Sequence, residues 1–259
     1  MPELDELLRF AHGLLDETDA IAAGYFRGEL TITAKHDRTL VTQADTGVEA
    51  HLRERILATY PVHGIVGEEF GIEPGDGETR WIIDPIDGTH NFVRGVPVWA
   101  TLVAVERAGQ LVMGLASAPA LGTRWAATIG GGARLRNAHD ERPIGVSRVA
   151  GMQDAQVLGS SLRAMDRAGL ADGVRRLVGA SWRDRGFGDF WGYALVAQGA
   201  AEAMVEVGPT IWDLAAPYVL VTEAGGRMTD LEGRPSWSGP QVLATNGLLH
   251  DEVLSLLTS

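Results

Sequence analysis

A chain of 259 residues can bury a substantial core, as one domain over 1–259 or as two closely joined halves, 1–142 and 143–259. Its 34 acidic residues against 22 lysines and arginines leave a formal charge of -12, which argues against a nucleic-acid partner. The absence of cysteine excludes disulfides, thiolate catalysis and cysteine zinc sites. No membrane partner is expected, because the longest apolar stretch, Trp99 to Leu121, is interrupted by Glu106, Arg107 and Gln110. Pro2, Glu3 and Asp5 do not resemble a secretory signal, so a cytoplasmic location is the expectation.

Leu4, Leu7, Leu8, Ala11, Leu14 and Leu15 recur at three- and four-residue spacing, which predicts an opening amphipathic helix. Lys35 to Arg38 forms a polar loop before Leu40-Val41-Thr42. Asp45 then begins a second helical pattern through Val48, Leu52 and Ile56, where it is placed to cap the helix. Pro61 stops that pattern. Gly64 to Gly67 reads as a short strand with Glu68-Glu69 at its end, followed by a Gly/Pro/Asp-rich loop through Gly77. The apolar run from Trp81 is expected to end as a strand at Asp84-Pro85-Ile86-Asp87, with Gly88-Thr89 at a helix start.

Val98 to Val105 and Leu111 to Leu115 read as strands paired across the Arg107 to Gln110 turn, and Trp125 to Ile129 as another. Beyond Pro143 strand and helix alternate: a strand over Ala155 to Leu158, then helices near Leu162 to Leu177 and Phe190 to Gly199. The last of the pattern is Ile211-Trp212-Asp213 and a helix through Ala224, stopped by Gly225-Gly226. The fold class is therefore α+β, with mixed sheets and helices on several faces.

Asp84 and Asp87 taken alone are ordinary turn residues as readily as ligands. Glu68 also follows a strand-like run, and Asp213 follows the apolar pair Ile211-Trp212, although helix capping is a reasonable role for it. Four carboxylates at element ends suit a hard cation such as Mg2+, which takes oxygen ligands, and amides at Gly88 and Thr89 suit a phosphate oxygen. The seven histidines form no HExxH pair. His90 is expected at the surface or beside the ligands rather than among them.

Gly67-Glu68-Glu69, Trp81 to Phe92, and Trp212-Asp213 through Gly225-Gly226 resemble the signature blocks of the inositol monophosphatase family, and with Lys35 to Asp45 they run in the family's order. The resemblance implies a layered α/β/α/β/α sandwich and a lithium-sensitive phosphomonoesterase, often a homodimer, using two or three Mg2+ per site. It implies that Glu68, Asp84, Asp87, Asp213 and the Ile86 carbonyl bind metal. Thr89 and Glu68 would activate the attacking water with Asp45 in support, Gly88 and Thr89 would receive phosphate, and Lys35 would ride a mobile loop.

The segment Arg183 to Trp191 combines acidic and aromatic residues, and its Arg-Gly-Phe-Gly-Asp-Phe-Trp run resembles the histidinol-phosphate phosphatase branch, which serves histidine biosynthesis. Asp189 and Glu206 suit the ammonium of such a substrate, Phe187, Phe190 and Trp191 its imidazole, and Arg185 belongs with the same substrate-binding set. Phe187 and Phe190 equally suit helix packing, and Asp189 a helix cap. An inositol or sugar monophosphatase is the alternative, and a noncatalytic interaction protein on the same fold is a third reading.

Overall fold

The structure, a computed structural model, describes residues 2–34 and 40–259; Lys35 and its expected loop lie outside the described residues. The helices among them are α1 (Pro2–Tyr25), α2 (Gln43–Thr59), α3 (Thr89–Val93), α4 (Leu162–Arg167), α5 (Ala171–Ala180), α6 (Asp189–Ala197), α7 (Ile211–Glu223) and α8 (His250–Thr258).

Two large sheets alternate with these helices. The first has eight strands, running in space Glu141–Ile144, Gly132–Asn137, Thr123–Thr128, Gln110–Ala118, Ala100–Arg107, Thr79–Asp87, Gly64–Gly67 and Gly71–Glu73. The second has five, in the order Arg183–Arg185, Gln156–Gly159, Ala203–Val207, Gln241–Thr245 and Arg227–Thr229.

The strand Thr79–Asp87 shows how one sequence serves two cores. Successive side chains of a strand point to opposite faces. Trp81 and Ile83 accordingly join Leu7, Leu14, Leu52 and Ile56 of α1 and α2, whereas Ile82 joins Phe190, Tyr193, Leu214 and Val219 of α6 and α7. The far side of that helix layer packs on Met204 and Ala244 of the five-stranded sheet. Val157, Val205 and Leu243 on the other face of this sheet close a third core with Met165, Leu177 and Val253 of α4, α5 and α8. The layers thus read α/β/α/β/α.

Several boundaries differ from the sequence reading. The helix expected over Leu162 to Leu177 is two helices, because Gly169 takes the left-handed conformation at φ +78° and turns the chain between them. Asp45 is not the cap of α2. Thr42 is, and Asp45 sits at the third helical position and closes a capping box, its carboxylate accepting from the Thr42 amide at 2.8 Å. The strand carrying Asp84 ends at Asp87 as expected, but it reaches that residue through a bulge that the sequence reading did not include.

Helix α7 lies directly on the strand Gln110–Ala118. A Cβ on Gly114 would stand 2.6 Å from the Ala216 carbonyl oxygen and 3.0 Å from Val219 Cβ, and the backbone oxygen cannot yield without moving the helix. Gly114→Ala is therefore expected to destabilise the protein by about 1–3 kcal/mol, the usual cost of overpacking. Thermal melts beside the parent protein check this, a drop of roughly 2–4 °C per kcal/mol being expected for a chain of this size.

Candidate active site

The bulge aligns the two aspartates. Residues three apart on a regular strand face opposite sides, but an extra residue between Asp84 and Asp87 opposite Leu102–Ala100 restores both carboxylates to one side. Pro85 has no amide to donate, and its carbonyl accepts from Thr101 Oγ1 at 2.8 Å. Asp84 Oδ1 accepts from the Ile86 amide at 3.0 Å, which fixes the first carboxylate, while the Ile86 side chain is buried in the core. Gly88 then turns the chain at φ +82°, where a side chain would also meet the Val98 carbonyl oxygen at 3.0 Å.

Two other elements deliver the remaining acids. Glu68 follows the strand Gly64–Gly67, which runs parallel to Thr79–Asp87, so both strands discharge their acids at the same edge of the sheet. Behind it the fully buried Glu49 accepts from the Glu69 amide at 2.8 Å and the Phe70 amide at 3.0 Å, and pairs with Arg53 at 2.9 Å. Asp213 is the third residue of α7, and its Oδ2 closes a capping box on Thr210, at 2.5 Å from the amide and 2.9 Å from the hydroxyl. As with Asp45, the threonine is the N-cap and the aspartate closes the box from the third helical position; the same Asp213 carboxylate also reaches the cluster. Asp84, Asp87 and Asp213 each offer an oxygen within 4.8 Å of the others.

Thr89 donates toward Asp45 Oδ1 at 3.2 Å and the Ile86 carbonyl at 3.0 Å. Asp45 is wholly buried behind it and is held by Thr42 Oγ1 at 2.6 Å. Burial pushes the Asp45 carboxyl upward, against the hydrogen bonds from Thr42 and Thr89 that favour its charge.

Glu68, Asp84, Asp87, Gly88, Thr89 and Asp213 line one cavity of about 450 Å³, together with His90, Ser160, Asp189 and Glu206. Its electrostatics are strained. Burial, and then the charges of Glu68, Asp87 and Asp213, hold Asp84 well above the usual carboxylate range. Burial, and then Asp189 and Asp213, do the same to Asp87, opposed by a 2.7 Å hydrogen bond from the Phe190 amide. A buried set of hard oxygen donors that repel one another is chemically suited to a divalent cation, whose charge would offset both the burial and the repulsion.

The wall away from these acids differs in part from expectation. Asp189 and Glu206 reach the cavity, but Arg185 does not: it is held opposite Leu158 in the edge ladder of the five-stranded sheet, exposed, and lines a separate apolar cavity of about 80 Å³. Phe190 is buried in the core, and Phe187 is 44 % exposed with its ring against Trp191, so this trio presents no ring to the cavity. The aromatic ring among the described lining residues is that of His90, which is exposed. Asp189 caps nothing; it is the first residue of α6, in the left-handed region at φ +55°.

Sequence reasoning passed over Glu49, Asn91, Ser160 and Tyr193. Asn91 Nδ2 donates to the Val98 carbonyl at 2.9 Å and toward Asp189 Oδ2 at 3.4 Å, linking the helix after the Asp-Gly-Thr turn to the opposite wall. Ser160 Oγ is buried at the cavity with no hydrogen-bond partner among the described residues. The only available signals were Gly159-Ser160 after a strand and a glutamate in the middle of an amphipathic helix.

Residues 3–258 match the model of the inositol monophosphatase family. A histidinol-phosphatase of Streptomyces coelicolor is 44% identical, covering 99% of this chain and 98% of its own. An inositol-1-monophosphatase of Rhizobium meliloti is 34% identical over 79% of this chain and 77% of its own. Among solved structures, the extragenic suppressor protein suhB of Bartonella henselae superposes with a TM-score of 0.91 at 26% identity, covering 98% of this chain and 99% of that one. Fold, acidic cluster and relatives agree, and the chain belongs to the inositol monophosphatase family.

Proposed function

We propose that this phosphatase hydrolyses histidinol phosphate to histidinol and phosphate. The observation that carries the reading is the cavity wall: beyond the metal-suited acids it presents two further carboxylates, the half-buried Asp189 and the buried Glu206, and no lysine or arginine among the described lining residues. A phosphate monoester bearing an ammonium meets charge-assisted acceptors there, whereas a neutral polyol leaves both acids without a counter-charge. The 44% relative is itself a histidinol-phosphatase over nearly its full length.

The residues suited to hold Mg2+, two or three ions in our reading, are Glu68, Asp84, Asp87 and Asp213 with the Ile86 carbonyl. Bound there, the cation supplies charge neutralisation of the phosphoryl group and acidification of water. The protein's own groups do the positioning. Thr89, with its proton directed to Asp45 or to the Ile86 carbonyl, keeps lone pairs to accept from and orient the attacking water beside Glu68. The amides of Gly88 and Thr89 receive phosphate oxygens, and Asp189 and Glu206 anchor the far end of the substrate. We also infer a lithium-sensitive cytoplasmic homodimer serving histidine biosynthesis, on family grounds.

The second reading, an inositol or sugar monophosphatase, is favoured by the unpartnered Ser160 hydroxyl, which suits a polyol. Phosphate release from histidinol phosphate and inositol 1-phosphate, measured side by side with Mg2+, decides. One or two charge-assisted contacts predict a preference in kcat/KM of roughly ten- to a hundredfold for histidinol phosphate. Release from inositol phosphate alone would sink the substrate assignment. Silence on both, with no Mg2+ binding, would favour a noncatalytic interaction protein.

A further inference from the structure

Glu206 is a peculiar group for a substrate wall. It is 7 % exposed, lies on the strand Ala203–Val207, and has each carboxylate oxygen engaged from α6: Oε2 accepts from Tyr193 Oη at 2.7 Å and Oε1 from the Asp189 amide at 3.3 Å. The approach is tight enough to demand glycine beside it, since a Cβ on Gly188 would stand 2.9 Å from Ser160 Cβ and 3.2 Å from Glu206 Oε1. Tyr193 itself is fully buried and does not line the cavity. Its ring fills the core between the sheets, a task phenylalanine would perform equally well. The hydroxyl serves something else.

We propose that Tyr193 is a positioning residue for substrate selectivity: its hydroxyl, with the Asp189 amide, fixes the Glu206 carboxylate as the acceptor for the cationic group of the substrate. The inference rests on the reading of a cationic phosphate monoester. A glutamate side chain has three rotatable bonds, and one held at both oxygens is aimed before the substrate arrives, so its ordering entropy is not lost on binding. The second oxygen lone pairs remain available to an ammonium.

Electrostatics give the positioning role its own signature. Burial raises the Glu206 carboxyl to about 8, the Tyr193 hydrogen bond opposes that rise, and Asp189 and Asp213 reinforce it. The groups facing it are Tyr193 and Asp189 from α6, Asp213 from α7 and Asp87 from the bulged strand. Tyr193 stays protonated, pushed well above the ordinary phenol value by burial and by Glu206. A cation selects ionised Glu206, so KM for a cationic substrate falls as pH rises toward the Glu206 midpoint. Removing the Tyr193 donor moves that midpoint upward.

The test uses intact Mg2+-loaded protein and the variants Tyr193→Phe, Glu206→Gln and their combination, assayed on histidinol phosphate and inositol 1-phosphate across pH. Loss of a hydrogen bond to a charged group is expected to raise KM for histidinol phosphate about tenfold. The rise for inositol phosphate is several-fold smaller, kcat changes less than KM, and the pH midpoint of KM moves upward. In the Glu206→Gln background the second substitution adds no KM penalty. Equal KM changes for both substrates, or an undiminished penalty in that background, overturn the inference. Should Tyr193→Phe fold poorly by thermal melt, Glu206→Gln carries the test: it must flatten the pH dependence of KM for histidinol phosphate more than that for inositol 1-phosphate, and an equal change for both overturns the inference. Wild-type protein inactive on histidinol phosphate overturns the substrate reading and this inference with it.

Discussion

Replacing Asp87 with asparagine is expected to lower phosphate release by more than about a hundredfold, since residues merely supporting a metal ligand already cost 10–100-fold. The metal-free protein should melt no lower than its parent. Asparagine keeps the shape and retains a carbonyl oxygen to accept from the Phe190 amide, which Asp87 Oδ2 now does at 2.7 Å. What it loses is charge. In the folded protein that charge is a cost, because burial and the neighbouring Asp189 and Asp213 hold the Asp87 carboxyl well above its ordinary range. Stability and activity therefore move in opposite directions, as where function is bought with local strain. Mg2+ titration and thermal melts with and without the cation check both halves. Parallel losses of activity and metal-free melting temperature would make Asp87 a structural residue.

Asp45 and Asp213 share a construction that explains why their roles overlap. Each is the third residue of a helix and closes a capping box on a threonine three residues earlier. Capping fixes one carboxylate at a helix start by satisfying amides that have no helical partner. The rest of the same side chain is then delivered with little freedom left: Asp45 to Thr89, Asp213 to Asp84 and Asp87. Closing a capping box and reaching the acidic site, alternatives posed by the sequence, are thus compatible in one side chain.

The acids were legible because each follows an apolar strand or opens a helix, and such element ends leave a recognisable punctuation of Asp, Pro and Gly. The bulge was not, since periodicity does not reveal an extra residue until the partner strand Ala100–Arg107 is in place. The opening helices and the central hairpin were legible from spacing. The strands Ala203–Val207 and Gln241–Thr245 were not, being five residues each and embedded among apolar helices. Arg185 and Phe187 lie three residues and one residue before Gly188, yet neither lines the cavity that Asp189 enters, Arg185 being held in an edge ladder. Tyr193 and Glu49 act through contacts 13 and 20 residues distant in sequence, where no local pattern reports them.

The thermal stability of the metal-free protein is expected to fall as pH rises from about 4.5 toward 8, and Mg2+ to restore it increasingly over the same range. Unfolded carboxyls ionise near their ordinary values, whereas folded Glu206 holds its proton to about 8 and Asp84 and Asp87 are likewise displaced upward. Between the two values the folded state binds more protons than the unfolded one. Stability then declines with rising pH, by at most about 1.4 kcal/mol per pH unit for Glu206, with Asp84 and Asp87 acting in the same direction. Below the ordinary carboxylate range both states are protonated and the contribution is flat. If Mg2+ is held by Asp84, Asp87 and Asp213, as proposed, it competes with their protons, so it is expected to bind weakly at pH 5 and well at pH 8. At a hundred times its dissociation constant it adds about 2.7 kcal/mol, which for a chain of this length raises the melting temperature by roughly 5–10 °C. Melts in Mg2+ and in chelator from pH 5 to 8 measure the difference, and calorimetry in two buffers counts the protons released. A Mg2+ effect of equal size at both ends of the range would mean that these carboxylates are not what holds the ion.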